Sequence, residues 1–226
     1  MRRLAFLSFL LLFATTSLFA QDWRRHRPDR YPDRYGYRDN FFELTPLIGY
    51  RYGGTIYSDD ARIFNRDLDV ESDLNYGLNL GIPINDSGMK LELLIDRQDT
   101  HLTTGSNDLF GPDNRVARFH ATYYQAGVLF PFSRSRNLTP YFAIDAGVAN
   151  LDTDVSGTSS ANRFAASAAI GLKFPIANNM AVKIEERGFF ANTGSYNHND
   201  GCGAFTCGGD TNLYQGETSL GVSFRF

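Results

Sequence analysis

Strict alternation of apolar and polar residues constrains this chain more than any other feature. In Leu74-Asn75-Tyr76-Gly77-Leu78-Asn79-Leu80-Gly81-Ile82-Pro83-Ile84 every even position is apolar and every odd one is small, polar or Pro. Phe42 to Tyr52 repeats the pattern, with Leu47 its one break. Further alternating runs occupy 89–98, 120–132, 140–150, 164–175, 180–190 and 214–226. Successive side chains of a strand point to opposite faces, so a period of two means strands, and helical spacing is absent after Phe41. Eight runs result, each near the 9–11 residues that a tilted strand needs to cross a bilayer.

The connections alternate as well. Asn85-Asp86-Ser87-Gly88, Ser133 to Thr139 and Ala177 to Asn179 are short, whereas 54–73, 99–119, 151–163 and 191–213 are long and polar. The expectation is an all-β fold: an eight-stranded antiparallel up-and-down transmembrane β-barrel with long loops at one end and short turns at the other. With an even strand number both termini leave on the short-turn, periplasmic side. A hydrophobic fraction of 42% in short runs excludes a multi-span helical membrane protein, and the abundance of aromatics (19 Phe, 12 Tyr, 1 Trp) excludes disorder for the bulk of the chain. A net charge of −3 argues against nucleic acid as the main partner.

The face opposite the apolar one carries the acids Glu43, Glu92, Asp96, Asp145, Glu185 and Glu217 and the bases Arg51, Lys90, Lys173, Lys183, Arg187 and Arg225. Six meets six, so these twelve are candidates for interior ion pairs, which buried charges require. Gly49, Gly53, Gly77, Gly81, Gly127, Gly147, Gly171 and Gly221 share that face and leave room for long side chains opposite. Eight strands make a barrel just wide enough for side chains to fill, so the lumen reads as a salt-bridged plug. A soluble lipocalin-like barrel is the rival, and parity alone does not say which face is inside. Twelve inward charges are feasible only if the other face meets lipid. Glu186 falls on the lipid face by parity, which calls for a bulge in its strand or a place at the membrane interface.

The N-terminus has the layout of a secretory signal peptide: Met1-Arg2-Arg3, an apolar core from Leu4 to Phe13, and a cut after Ala20. Its core is short for an uncleaved anchor of about 20 residues. Three parts follow: a signal peptide over 1–20, an Arg/Tyr/Asp-rich periplasmic linker over 21–40 with Pro-Asp-Arg-Tyr twice, and the barrel over 41–226. Arg and Tyr in the linker could grip anionic polymer or head groups, but its mixed charge favours a plain solvated linker. Export places the chain in an oxidising compartment, where Cys202 and Cys207 pair in a local disulfide worth roughly 2 kcal/mol, in preference to a metal site with His198.

Signals for chemistry are thin. His101, His120 and His198 have no partner at metal-ligand or catalytic spacing, so no catalytic residue, metal or cofactor is expected. Asp67, Asp69, Glu71 and Asp73 alternate in the first long loop and could hold a cation, although a solvated acidic loop without a calcium-loop glycine pattern is the simpler reading.

The last strand, Leu220-Gly221-Val222-Ser223-Phe224-Arg225-Phe226, resembles the closing strand of OmpA-type outer-membrane barrels. Tyr124 to Val128 and Pro140 to Val148 are similar to central strands of the small porin-like outer-membrane β-barrel family. The resemblance implies a bacterial outer-membrane location and an assembly signal in Phe224 and Phe226 read by the barrel-assembly machinery. It also implies contact with outer-membrane lipid and lipopolysaccharide. The function expected is structural or surface-interacting through the external loops, with a narrow channel for small solutes as the alternative and a lipid-modifying enzyme behind both.

Overall fold

The computed structural model describes residues 41–56, 68–85, 87–104, 115–132, 138–154, 160–192 and 212–226. The signal peptide, the linker, Cys202, Cys207, His198 and Asp67 lie outside them.

Ten strands form among the described residues: β1 (Glu43–Tyr52), β2 (Thr55–Ile56), β3 (Leu68–Val70), β4 (Asp73–Pro83), β5 (Lys90–Thr104), β6 (Arg115–Pro131), β7 (Thr139–Thr153), β8 (Ala161–Ala177), β9 (Met180–Asn192) and β10 (Asn212–Arg225). The eight long ones pair antiparallel in the order β5-β4-β1-β10-β9-β8-β7-β6, and a β5–β6 pairing closes the ring. Closure leaves each of the long strands with a neighbour on both sides, so the wall has no free sheet edge along its shared height. A row followed from Tyr52 through Gly216, Gly188, Ala168, Ile144, Val128 and Leu91 returns to Ile82, which faces position 42. The closure is therefore staggered by ten residues (52 − 42), which tilts the strands across the barrel axis.

The short turns end their strands by local chemistry. Asn85 Oδ1 accepts from the amides of Ser87 (3.1 Å) and Met89 (3.3 Å), and Gly88 takes the left-handed φ of 77° that closes the turn. At the opposite end β2 and β3 extend the β1–β4 hairpin: Gly53 and Gly54, with φ of 79° and 111°, bend β1 into β2, and β3 pairs with β5 over Leu68–Thr104 to Val70–Leu102. The first long loop is thus strand at both ends.

Four wall strands run further toward that end than the alternating stretches in the sequence. Residues 99–104, 115–119, 151–153 and 161–163 continue the ladder. The physical reason is an inversion of polarity along the wall. Over most of its height the outside is apolar (Ile48, Leu78, Ile95, Ile144, Ile170, Ile184, Leu220) and the inside is charged. Beyond Tyr76 and Tyr124 the outside turns polar at Arg97, Asp99, His120 and Asp152, while the inside becomes apolar at Leu102, Phe119, Leu151 and Leu213.

Candidate functional site in the filled lumen

The structure places all twelve parity-assigned charges inside the wall, none more than 7% exposed. They sort into three tiers. Nearest the short turns, Glu43 holds Lys90 at 2.7 Å, Lys173 at 2.6 Å and Arg225 at 3.1 Å. The register explains the last of these, since Glu43 and Arg225 lie directly opposite where β1 meets β10. Thr45 and Ser223, one step further in, share a hydrogen bond of 2.8 Å.

In the middle tier the Arg187 guanidinium fans onto Glu92 at 2.6 Å, Glu185 at 2.9 Å and Asp145. Lys183 reaches Glu185 at 2.9 Å and Glu92 at 3.8 Å, and the Tyr141 hydroxyl donates to Glu185 at 2.7 Å. Glycine makes this crowding feasible. Glu92 lies between Gly81 and Gly127 on neighbouring strands, and the space a side chain would take at Gly171 is filled by the Tyr141 ring.

The upper tier centres on Arg51, which binds Glu217 at 2.7 Å and also Asp96. Asn75 donates to Asp96 at 2.9 Å. The Arg51 guanidinium sits 4.8 Å from the Tyr123 ring centroid and 4.3 Å from that of Phe189, and these rings start an apolar cap. Leu68, Val70, Leu102, Phe119, Leu151 and Leu213 complete the cap, each 5% exposed or less. The Tyr123 hydroxyl donates to Gln215 at 2.9 Å. Tyr123, Tyr141, Asn75 and Gln215 are partners that counting charges overlooked, yet all lie at odd positions and the same parity would have found them.

Apolar residues also interrupt the charged face: Leu47, Leu94 and Leu129 point inward, at 6%, 2% and 4% exposure. Glu186 points outward in an unbroken ladder: the irregularities in the wall lie between Leu102 and Thr103 and between Pro175 and Ala177, so no bulge turns it inward. Its carboxylate instead accepts from the hydroxyls of Tyr52 and Thr218.

The loop carboxylates stand apart. Asp69 accepts from Thr55 at 2.8 Å, Glu71 pairs with Arg115 at 2.8 Å, and Asp73 caps the Leu74 amide at 2.7 Å. Among the described residues no three His, Cys, Asp or Glu side chains gather as a metal site would need. His101 and His120 do have acidic neighbours, Glu71 at 3.6 Å and Asp99 at 2.6 Å. Asp99 is also held by Arg97 at 2.9 Å, so the cluster is a cross-strand charge network on the outer wall. Phe224 and Phe226 face outward at the short-turn rim, 38% and 64% exposed.

The family model for the outer membrane protein beta-barrel domain matches residues 34–226. The chain belongs to this family. Its place is accordingly the bacterial outer membrane, where the apolar band of the wall meets lipid. Neisserial surface protein A has a similar fold, with a TM-score of 0.52 and 14% identity over 83% of this chain and 97% of that one. The outer membrane protein AlkL, determined in lipid bilayers, gives 0.52 and 14% over 88% and 97%; OprG from Pseudomonas aeruginosa gives 0.50 and 12% over 83% and 96%. At such identities the likeness is one of fold. No curated protein matches the chain in sequence.

Proposed function

We propose that the protein is a closed, non-conducting outer-membrane barrel that presents its long loops at the cell surface for structural or interaction roles. The observation that carries this reading is the double seal of the lumen. Three tiers of ion pairs fill it from the Glu43 end, and the cap of Phe119, Leu151, Leu102 and Leu213 closes the other. A solute would have to break buried ion pairs, each costly to separate in a low dielectric, and then cross an apolar layer.

The orientation is part of the proposal. Short turns gather at the rim where Glu43 meets Arg225, so the first and last strands leave on one side. In outer-membrane barrels that side is periplasmic, which puts the linker of residues 21–40 in the periplasm after signal-peptide removal. The outward aromatics Phe224 and Phe226 then sit where the assembly machinery would read them.

Planar-bilayer recording on purified, refolded protein tests the seal. Baseline current is expected; steady single-channel steps would replace this reading with the narrow channel.

A further inference from the structure

The outer wall carries one feature that neither a plug nor a cap uses. Glu186 lies in register with Thr218 on β10 and Ile170 on β8, and Ile184 and Leu220 lie next to it on the lipid-facing band. A carboxylate in that position is costly and calls for a partner. Tyr52 and Thr218 supply two hydroxyl donors. Tyr52 can do so because Gly216 has no side chain: a Cβ there would strike the Tyr52 ring. A carboxylate has up to about four acceptor sites, and the described residues fill two of them here.

Directly above Glu186, toward the long loops, the wall is hollowed. Ala168 and Gly188 form the floor of a groove of about 680 Å³, and Tyr52, which covers Gly216, lines it with Phe190 and Tyr214. A Cβ at Gly188 would meet nothing within 4 Å, so the floor is open to the outside. The groove continues the lipid-facing band, and Glu186 lies one outward position below its Gly188 on β9. Its occupant is therefore an outer-leaflet amphiphile whose chain offers a hydrogen-bond donor well below the head group. Phospholipid chains, joined through esters, offer only acceptors at that depth, whereas the acyl chains of lipopolysaccharide carry amide N–H and hydroxyl groups.

We propose that this face docks the lipid anchor of lipopolysaccharide, with one acyl chain in the groove over Gly188 and Ala168 and an amide N–H or hydroxyl of that anchor donating to Glu186. The assignment of the groove to the outer leaflet rests on the orientation proposed above. The test is made in detergent micelles, where orientation plays no part, so the two readings fail separately. Lipopolysaccharide is titrated into the refolded barrel while the amide resonances of Gly216 and Ala168 are followed, with phosphatidylcholine as the control lipid. Gly188→Leu fills the floor and Glu186→Leu removes the acceptor; both add apolar surface to a lipid-facing site, and the heat-dependent gel shift verifies folding. A saturable response to lipopolysaccharide is expected, abolished by Gly188→Leu and weakened about tenfold by Glu186→Leu. An equal response to phosphatidylcholine, or an unchanged one in both variants, overturns the proposal. So does a shift that depends on protein concentration without lipid, which would make the groove an interface between two copies.

Discussion

Arg187 is the residue on which most of the interior depends. It neutralises Glu92, Glu185 and Asp145 at once. Arg187→Leu should destabilise the barrel by about 3–5 kcal/mol, because it strands buried carboxylates while adding little packing. Urea unfolding from lipid vesicles measures the loss. Arg97→Leu makes the same chemical change at a half-exposed pair with Asp99 and should cost under about 1 kcal/mol in the same assay. Glycine acts at this scale too. Gly171→Val drives a side chain into the Tyr141 ring and displaces the hydroxyl that serves Glu185, for an expected loss of about 1–3 kcal/mol.

A single strand of this wall passes through two solvents. On β7, Ile144 and Asp152 both point outward, but Ile144 belongs to the apolar band and Asp152 to the polar stretch above it. Ile144→Arg should cost about 2–4 kcal/mol in vesicle unfolding, as a cation near the bilayer midplane does, whereas Asp152→Arg should stay within about 0.5 kcal/mol. The same change of solvent explains what was legible beforehand. Within the bilayer the outside is apolar but for Glu186 and its partner Thr218, so period two is loud and all eight wall strands could be read. Above it Leu102, Phe119 and Leu151 face in and His120 and Asp152 face out, so the alternation reverses sense. A reader following one apolar face loses the strand there and assigns loop. Glu186 was legible as an exception, but its partner Tyr52 sits on β1, far away in the sequence, and only the pairing of β1 with β10 brings it near.

As a whole, the molecule separates closing the ring from filling it. β1 meets β10 through eight register pairs, among them Arg51–Glu217 and Glu43–Arg225, so the last strand brings charge partners as well as hydrogen bonds. The tiers also differ in sign. Glu43 faces three bases at the short-turn end, while Arg51 faces two acids below the cap. With two independent seals, removing one should not open the lumen. Phe119→Ala should leave planar-bilayer current at baseline, since the charged tiers persist beneath the cap.

The reversal of polarity along β5 to β8 makes the wall a depth gauge. Sliding the barrel toward its short-turn end by one outward position per strand would draw Arg97 and Asp99 into hydrocarbon. Sliding it the other way would lift the tyrosine level of Tyr76 and Tyr124 clear of the interface. Each displacement is opposed by several strands at once. The depth at which the barrel sits is therefore written into the side chains of the wall.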